Sequence, residues 1–199
     1  MRSATACILA GGSGRRLGGA DKPRLLVGGR PIVEHQRALL SQLCDVKIIG
    51  GPDGIPDRRP GEGPLAGLET ALLASGGDVL LVGGDMPFLQ PDLLRLLLDE
   101  PGEAVVPRLG GQHVQPMLSC FAHEIIERTC AALDAGQRSL VGFLATLDTH
   151  YLDEDRLRAV DPELLTFFDI DTADDLAEAE RIYSAHAPRS TRSDSTRRL

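Results

Sequence analysis

The sequence predicts an α/β fold, with a mostly parallel sheet flanked by helices on both faces and one antiparallel strand. Short apolar runs bounded by Gly, Pro or Asp are typical of buried parallel strands, and here they alternate with segments of helical periodicity. The predicted strands are 5–10, 45–50, 78–83 and 103–108, and the predicted helices between them are 31–43, 64–75 and 91–99. This β-α-β order predicts right-handed crossovers and a ligand site at the C-terminal ends of the strands.

The second half of the chain predicts two further strands and a final helix. The stretch "HVQPMLSCF" (113–121) alternates imperfectly and contains Pro116, which cannot donate to a ladder, so we expect an antiparallel strand at an edge of the sheet. The stretch 167–186 predicts a short strand, a turn and a helix, and Thr172 and Asp175 have the spacing of a capping box.

Size and composition limit the class of protein. A chain of 199 residues with 42% hydrophobic content can build one globular domain with a sizeable core. No apolar run approaches the roughly 20 residues of a membrane span, and the first one is broken by glycine too early for a signal peptide. We therefore expect a cytoplasmic protein without a membrane partner. The four cysteines lack C-x-x-C spacing, so we expect buried thiols and neither disulfides nor a metal cage.

Charge is distributed unevenly along the chain. The net charge is −8, yet residues 1–30 hold six basic residues and one acidic residue, and residues 184–199 hold four arginines and one aspartate. The last segment has almost nothing apolar to bury, so we predict one folded domain over 1–183 and a disordered basic tail over 184–199. The acidic remainder argues against a nucleic-acid partner and favours a small anionic ligand.

A glycine-rich, basic segment, "LAGGSGRRLGGADKP" (9–23), follows the first predicted strand. Backbone N–H groups and cations at the C-terminal end of a strand indicate a phosphate site. A P-loop is excluded because Lys22 lies between Asp21 and Pro23, and a dinucleotide fingerprint lacks its third glycine, since Leu17 stands there. A surface loop rich in turn residues is the structural alternative.

The segment resembles the signature of nucleotidyltransferases with the nucleotide-sugar pyrophosphorylase fold, and within them it most resembles the molybdenum cofactor guanylyltransferases (MobA family). The matching residues are Leu9, Ala10, Gly11, Gly12, Arg16, Leu17, Lys22 and Pro23. Four further motifs follow in the family's order: "GPLAGL" (63–68), "GGDMPFL" (83–89), "GQRSL" (136–140) and "FDIDTADDL" (168–176). The resemblance implies a Rossmann-like nucleotidyltransferase fold over most of the chain.

The resemblance also implies an activity. The protein is expected to transfer GMP from GTP to the terminal phosphate of molybdopterin-bound molybdenum with Mg²⁺ as cofactor, and molybdoenzyme apoproteins or their chaperones are expected partners. The alternatives are a cytidylyltransferase for the same cofactor and a guanylyltransferase for another phosphorylated small molecule. From other classes, a non-catalytic nucleotide-binding chaperone is disfavoured because it would not need both Lys22 and Asp85. A dinucleotide-dependent oxidoreductase is disfavoured because Glu34 lies on a predicted helix.

Phosphate chemistry and the resemblance together select the candidate site residues. A compact ammonium suits a single phosphate oxygen, and Lys22 is one of only two lysines, so we expect Lys22 to be catalytic together with Arg16 and Asp85. Of the neighbours Arg15 and Arg16, one is expected to clamp phosphate and the other to be a solvated flank, and the sequence leaves open which. Asp85, at the tip of the strand 78–83, is the first candidate Mg²⁺ ligand; Asp169 and Asp171 point to opposite sides, and the resemblance selects Asp171 as the second. Expected nucleotide-binding residues are Leu9, Ala10, Gly11, Gly12, Gly14, Lys22, Asp57, Gly63, Pro64, Leu65 and Asp85.

This sequence departs from the family pattern at several of these places. Gly50 and Gly51 stand in an otherwise Asn-rich turn, Asp169 and Asp171 replace asparagines, and Asp57 takes the place of the acidic residue upstream of "GPLAGL" with looser spacing. These departures concern the choice of base and leave the phosphate chemistry intact.

Deletion of residues 188–199 is expected to change the melting temperature very little. The deleted segment contains one apolar side chain, Leu199, besides its proline, so it offers little to a hydrophobic core. Thermal unfolding of the full and shortened chains measures this, and a loss of many degrees would show that the segment packs on the domain.

Overall fold

The structure is a computed structural model that describes residues 3–11 and 21–186. The strands are β1 Ala4–Leu9, β2 Leu26–Val27, β3 Arg30–Pro31, β4 Asp45–Ile49, β5 Asp78–Gly83, β6 Ala104–Leu109, β7 His113–Val114, β8 Leu118–Phe121 and β9 Thr149–Asp153. The α-helices are α1 Ile32–Leu40, α2 Pro64–Ser75, α3 Pro91–Asp99, α4 Ile126–Asp134, α5 Leu140–Leu144, α6 Glu154–Arg158 and α7 Ala173–His186. The predicted α/β fold is confirmed, and the strands and helices predicted for its first half lie within a few residues of their observed bounds.

The main sheet is mixed, and β1 is its second strand, next to the edge strand β4. Strands β4 and β5 flank β1 and both run parallel to it. Strand β8 then runs antiparallel to both β5 and β6, and β9 runs parallel to β6 on its other side. Strands β2 and β3 form a separate antiparallel hairpin. The C-terminal ends of β1, β4 and β5 therefore meet at one edge of the sheet.

The prediction of an edge strand over 113–121 was wrong in its position. The segment forms β7 and β8, and β8 lies inside the sheet between β5 and β6. Pro116 is tolerated because the pairing is interrupted there: its neighbour Gln115 donates its N–H to Pro107 O over 2.9 Å, and the register resumes at Leu118. An interruption of the ladder removes the need for a proline N–H, as an edge position would.

Side chains alternate along the strands, so the sheet carries a hydrophobic core on each face. On β1, Cys7 packs with α2, α4 and α5, whereas Ala6 and Ile8 pack with α1, α3 and α6. Strand β5 divides in the same way, with Leu81 on the first face and Leu80 on the second. Both faces of the parallel part are covered by helices, which is why its strands are continuous apolar runs.

A smaller core joins the hairpin to the last helix. It contains Val27, Ile32, Ile170 and Ala179. The predicted capping box is present at the start of α7: Asp175 N donates to Thr172 Oγ1 over 3.2 Å, and Thr172 N donates to Asp175 Oδ2 over 2.7 Å. Helix α7 extends to His186, three residues past the predicted domain boundary, and the remainder of the predicted tail lies outside the described residues.

Two other expectations bear on the cell compartment. Cys7 and Cys120 are buried as predicted, whereas Cys44 and Cys130 are partly exposed, and these four cysteines form no disulfide. In the described parts of the chain, no helix has the length and apolar character needed to span a bilayer. The cytoplasmic location stays a prediction.

Candidate active site

A cleft of about 360 Å³ opens where the central parallel strands end. Its walls come from the ends of β1, β4 and β5, from the N-terminus of α2 and from the segment after the glycine-rich loop. Seven predicted site residues line it: Leu9, Gly11, Lys22, Asp57, Gly63, Pro64 and Asp85. Ile49, Gly61 and Met117 also line it and were not predicted, because nothing in their local sequence distinguishes them from ordinary structural residues. Gly67 lines it too; it belongs to the "GPLAGL" motif but was not named as a site residue.

Other predicted residues lie elsewhere. Ala10 is buried behind the cleft wall, and Leu65 is fully buried in the core on the α2 side of the sheet. Asp171 lies beside the cleft and reaches it through Lys22. Gly12, Gly14 and Arg16 lie outside the described residues.

Lys22 joins the two predicted metal-binding carboxylates. Its Nζ donates to Asp85 Oδ2 over 2.9 Å and also to Asp171 Oδ1, so one ammonium bridges segments 63 and 149 residues away in sequence. The Lys22 side chain is only 16% exposed. Burial disfavours its charge, but the hydrogen bonds to Asp171 and Asp85 outweigh that cost and raise the pKa of Lys22 above its ordinary value.

The turn that carries Asp85 packs tightly on the end of β1. Gly84 donates its N–H to Leu9 O over 3.1 Å. A Cβ at Gly84 would lie 2.7 Å from that same oxygen and 2.7 Å from the Pro23 ring, so a larger residue would push the turn away from β1. The glycine before Asp85 thus allows the carboxylate to lie directly beside Lys22.

The segment before α7 brings Asp171 to the same place. Ile170 N donates to Asp85 O over 3.0 Å, which ties this segment to the Asp85 turn. Asp171 N donates to Asp175 Oδ2 over 3.0 Å, so the capping box also fixes the main chain of Asp171. Burial, together with the negative charges of Asp85 and Asp171, raises the pKa of Asp169 to about 7.

Asp57 lines the opposite part of the cleft. Its Oδ2 lies so close to Gly11 and Gly50 that a Cβ built on either glycine would be 3.1 or 3.3 Å away. Desolvation raises the pKa of Asp57, and among the described residues no hydrogen bond or ion pair offsets it. The carboxylate is therefore an acceptor that a ligand with N–H or O–H donors would satisfy.

The loop that carries Asp57 is held against α2. Arg58 N donates to Thr70 Oγ1 over 3.1 Å, and Arg59 pairs with both oxygens of the buried Glu69 at 3.2 Å. Sequence reasoning missed these contacts. The available signal was the occurrence of Glu69 within an otherwise apolar helix, because a charged side chain is rarely fully buried without a partner.

The carboxylates suit a metal that is held mainly by the substrate. The described residues contain no group of three or more His, Cys, Asp or Glu arranged to hold a metal ion alone. Asp85 and Asp171 nevertheless lie together on either side of Lys22 Nζ. A Mg²⁺ ion carried by a triphosphate needs only one or two protein carboxylates. The donor set therefore fits a divalent cation that arrives with phosphate oxygens and water.

Comparison with known proteins identifies the family. Residues 6–150 match the MobA-like NTP transferase domain. The chain belongs to this family. It is a nucleotidyltransferase, and enzymes of this kind generally use a divalent metal.

Relatives and solved structures agree with this assignment. A probable molybdenum cofactor guanylyltransferase of Pelotomaculum thermopropionicum is 33% identical, covering 90% of this chain and 93% of the relative. A molybdenum cofactor guanylyltransferase of Cereibacter sphaeroides is 35% identical, covering 88% and 94%. The crystal structure of molybdopterin-guanine dinucleotide biosynthesis protein A from Archaeoglobus fulgidus has a TM-score of 0.81 and 28% identity, covering 91% of this chain and 99% of that one.

Replacement of Lys22 by alanine is expected to lower the turnover of nucleotidyl transfer about 100-fold or more, because a poorly solvated charge aimed at a reacting phosphate is lost. The fold should stay intact, since no core cavity opens. Lys47→Ala is the matched control: it removes the other lysine, whose Nζ donates to Ala74 O over 2.5 Å and which does not line the cleft. Near-normal turnover of Lys22→Ala would remove Lys22 from the reaction.

Proposed function

We propose that the protein is a guanylyltransferase that transfers GMP from GTP to the terminal phosphate of molybdopterin carrying molybdenum, and releases pyrophosphate. The observation that carries the proposal is the meeting of Lys22, Asp85 and Asp171 beside a cleft at the strand ends. A site of this kind can neutralise the charge of a triphosphate at a defined point. The names of the relatives favour GTP and the molybdenum cofactor as the substrates.

The transfer needs alignment and charge neutralisation from the protein. An oxygen of the acceptor phosphate attacks the α-phosphorus of GTP, a new P–O bond forms, and the bond between the α-phosphorus and the bridging oxygen to the β-phosphate breaks. The acceptor phosphate is already ionised at neutral pH, so no side chain has to remove a proton. An ammonium has three N–H donors, and Asp85 and Asp171 occupy two on Lys22, which leaves one to bind a phosphate oxygen.

Asp85 and Asp171 would hold a Mg²⁺ ion that arrives with the nucleotide, and the ion would supply neutralisation of phosphate charge, which favours departure of pyrophosphate.

The glycine-rich wall of the cleft also favours phosphate binding. Gly11 and Gly63 leave the backbone accessible, and the N-terminus of α2 at Pro64 offers the positive end of its dipole to an anion. We place Gly12, Gly14 and Arg16 on the triphosphate as well, on the strength of the sequence motif.

Asp57 is our choice for the nucleoside contact. Its poorly solvated carboxylate, which has no partner among the described residues, faces the cleft. Both guanine, with its ring N–H and amino group, and the ribose hydroxyls offer donors for it. Leu9 lines the cleft at the end of β1, and the buried Ala10 and Leu65 support this wall from behind. We further propose that the product passes to molybdoenzyme apoproteins or their chaperones.

Incubation with each of four labelled nucleoside triphosphates, Mg²⁺ and molybdenum-loaded molybdopterin tests the proposal. Transfer of GMP alone, with release of pyrophosphate, is the expected result. Transfer of CMP would assign the protein to cytidylyl transfer, and transfer of GMP only to another phosphorylated acceptor would overturn the choice of acceptor. Tight nucleotide binding without transfer to any acceptor would favour the non-catalytic chaperone.

Replacement of Asp171 separates ligand geometry from charge. Asp171→Asn keeps an oxygen of nearly the same shape and removes one negative charge, so we expect an active enzyme with a higher Mg²⁺ requirement. Asp171→Ala removes the ligand and should be severely impaired. Initial rates over a Mg²⁺ titration at fixed GTP and acceptor measure both effects.

Asp174→Asn serves as the control for charge alone, because Asp174 is exposed in the first turn of α7. If Asp171→Ala and Asp171→Asn both follow the parent curve, Asp171 has only a structural role in the turn before α7.

A further inference from the structure

Helix α1 sends one polar side chain into the core behind the cleft. Gln36 lies one turn from Ile32 and one turn from Leu40, on the buried face of the helix, and is 1% exposed. Its Nε2 donates to Gly83 O over 2.7 Å and to Met86 O over 3.0 Å. These two carbonyls flank Asp85, so one side-chain amide holds both ends of the turn that carries the carboxylate.

The orientation of this amide is fixed by its partners. Both partners are carbonyl oxygens, which only accept, so the reverse orientation would place Oε1 against two acceptors. In the observed orientation Oε1 is buried without a hydrogen-bond partner in the described part of the chain. The core thus tolerates an unsatisfied acceptor at Gln36, an arrangement that favours a specific task for the two donors over general packing.

The other anchors of the turn come from separate elements. Gly83 N donates to Met117 O over 2.7 Å, Gly84 N donates to Leu9 O, and Asp85 O accepts from Ile170 N. Those bonds connect the turn to the sheet and to the segment of Asp171. Gln36 supplies the connection to the helix layer, and it is the described side chain that joins both ends of the turn.

We propose that Gln36 is a positioning residue, which holds the Gly83–Met86 turn so that the Asp85 carboxylate points at Lys22 and at the divalent cation of the bound nucleotide. The inference rests on the proposed function for the role of Asp85. Gln36 does not line the cleft, and it acts through the main chain on the Asp85 carboxylate. Groups that hydrogen-bond a metal ligand directly typically contribute 10- to 100-fold to metal affinity, and we expect the lower end of that range for a group that acts through the main chain.

Gln36→Met tests the proposal, because it keeps the length of the side chain and removes both donors. We expect the Mg²⁺ concentration for half-maximal rate to rise about 10-fold or more. Isothermal titration should show that nucleotide binding in EDTA is unchanged while the gain in affinity from Mg²⁺ is reduced. Gln36→His retains one ring N–H donor and should lie between the parent and Gln36→Met in both measurements.

Leu40→Ala is the matched control for loss of stability. Leu40 is fully buried on the same face of α1, and its truncation should lower the melting temperature without changing the response to Mg²⁺. An unchanged Mg²⁺ response in Gln36→Met and Gln36→His, or an equal change in Leu40→Ala, would overturn the positioning role.

The binding measurement needs no acceptor and uses whichever triphosphate the parent protein binds. Failure of the parent to transfer GMP therefore overturns the proposed function alone, and the effect of Gln36 on metal-dependent binding still decides the inference. Absence of any metal-dependent nucleotide binding in the parent would overturn both.

Discussion

The geometry of the cleft depends on one ammonium group held between two carboxylates. Asp85 and Asp171 carry like charges and come from distant segments, so they would repel each other beside the cleft without the cation of Lys22. Because Lys22 is 16% exposed, its attraction to them is screened less than that of a surface pair. The ion pairs thus join the segment after the glycine-rich loop, the turn after β5 and the segment before α7 into one site.

The main chain supports this arrangement from several directions. The Asp85 turn is fixed by hydrogen bonds to β1, to Ile170 and to Gln36, and Asp171 is fixed by the capping box of α7. A carboxylate on such a framework needs to move little when charge develops on a substrate, so the reorganisation energy is small. This preorganisation is the condition for electrostatic catalysis. The loop of Asp57 is restrained separately, by Arg59 and the buried Glu69, so the proposed phosphate and nucleoside contacts depend on different anchors.

Much of the fold and of the site could be predicted because buried parallel strands are continuous apolar runs, which are easily recognised in a sequence. Strand β5 is a continuous apolar run, so Asp85 could be placed at its tip, and parallel neighbours bring Lys22 and Asp57 to the same edge. The position of β8 could not be predicted, because pairing partners far apart in sequence leave no local pattern. Gln36 was missed for the same reason: its partners lie about 50 residues away, and on a helix it is indistinguishable from a solvated residue.

The carboxylates around Lys22 also distinguish this site from a simple phosphate-binding site. A site that only binds an anion surrounds it with donors, whereas here Asp85 and Asp171 both bond one ammonium and Asp169 lies near enough to feel their charges. Burial, followed by repulsion from Asp85 and Asp171, raises the pKa of Asp169 to about 7. A divalent cation relieves that repulsion and at the same time balances the incoming triphosphate. Among the described residues, the carboxylates grouped around Lys22 therefore favour metal-assisted nucleotidyl transfer over nucleotide binding alone.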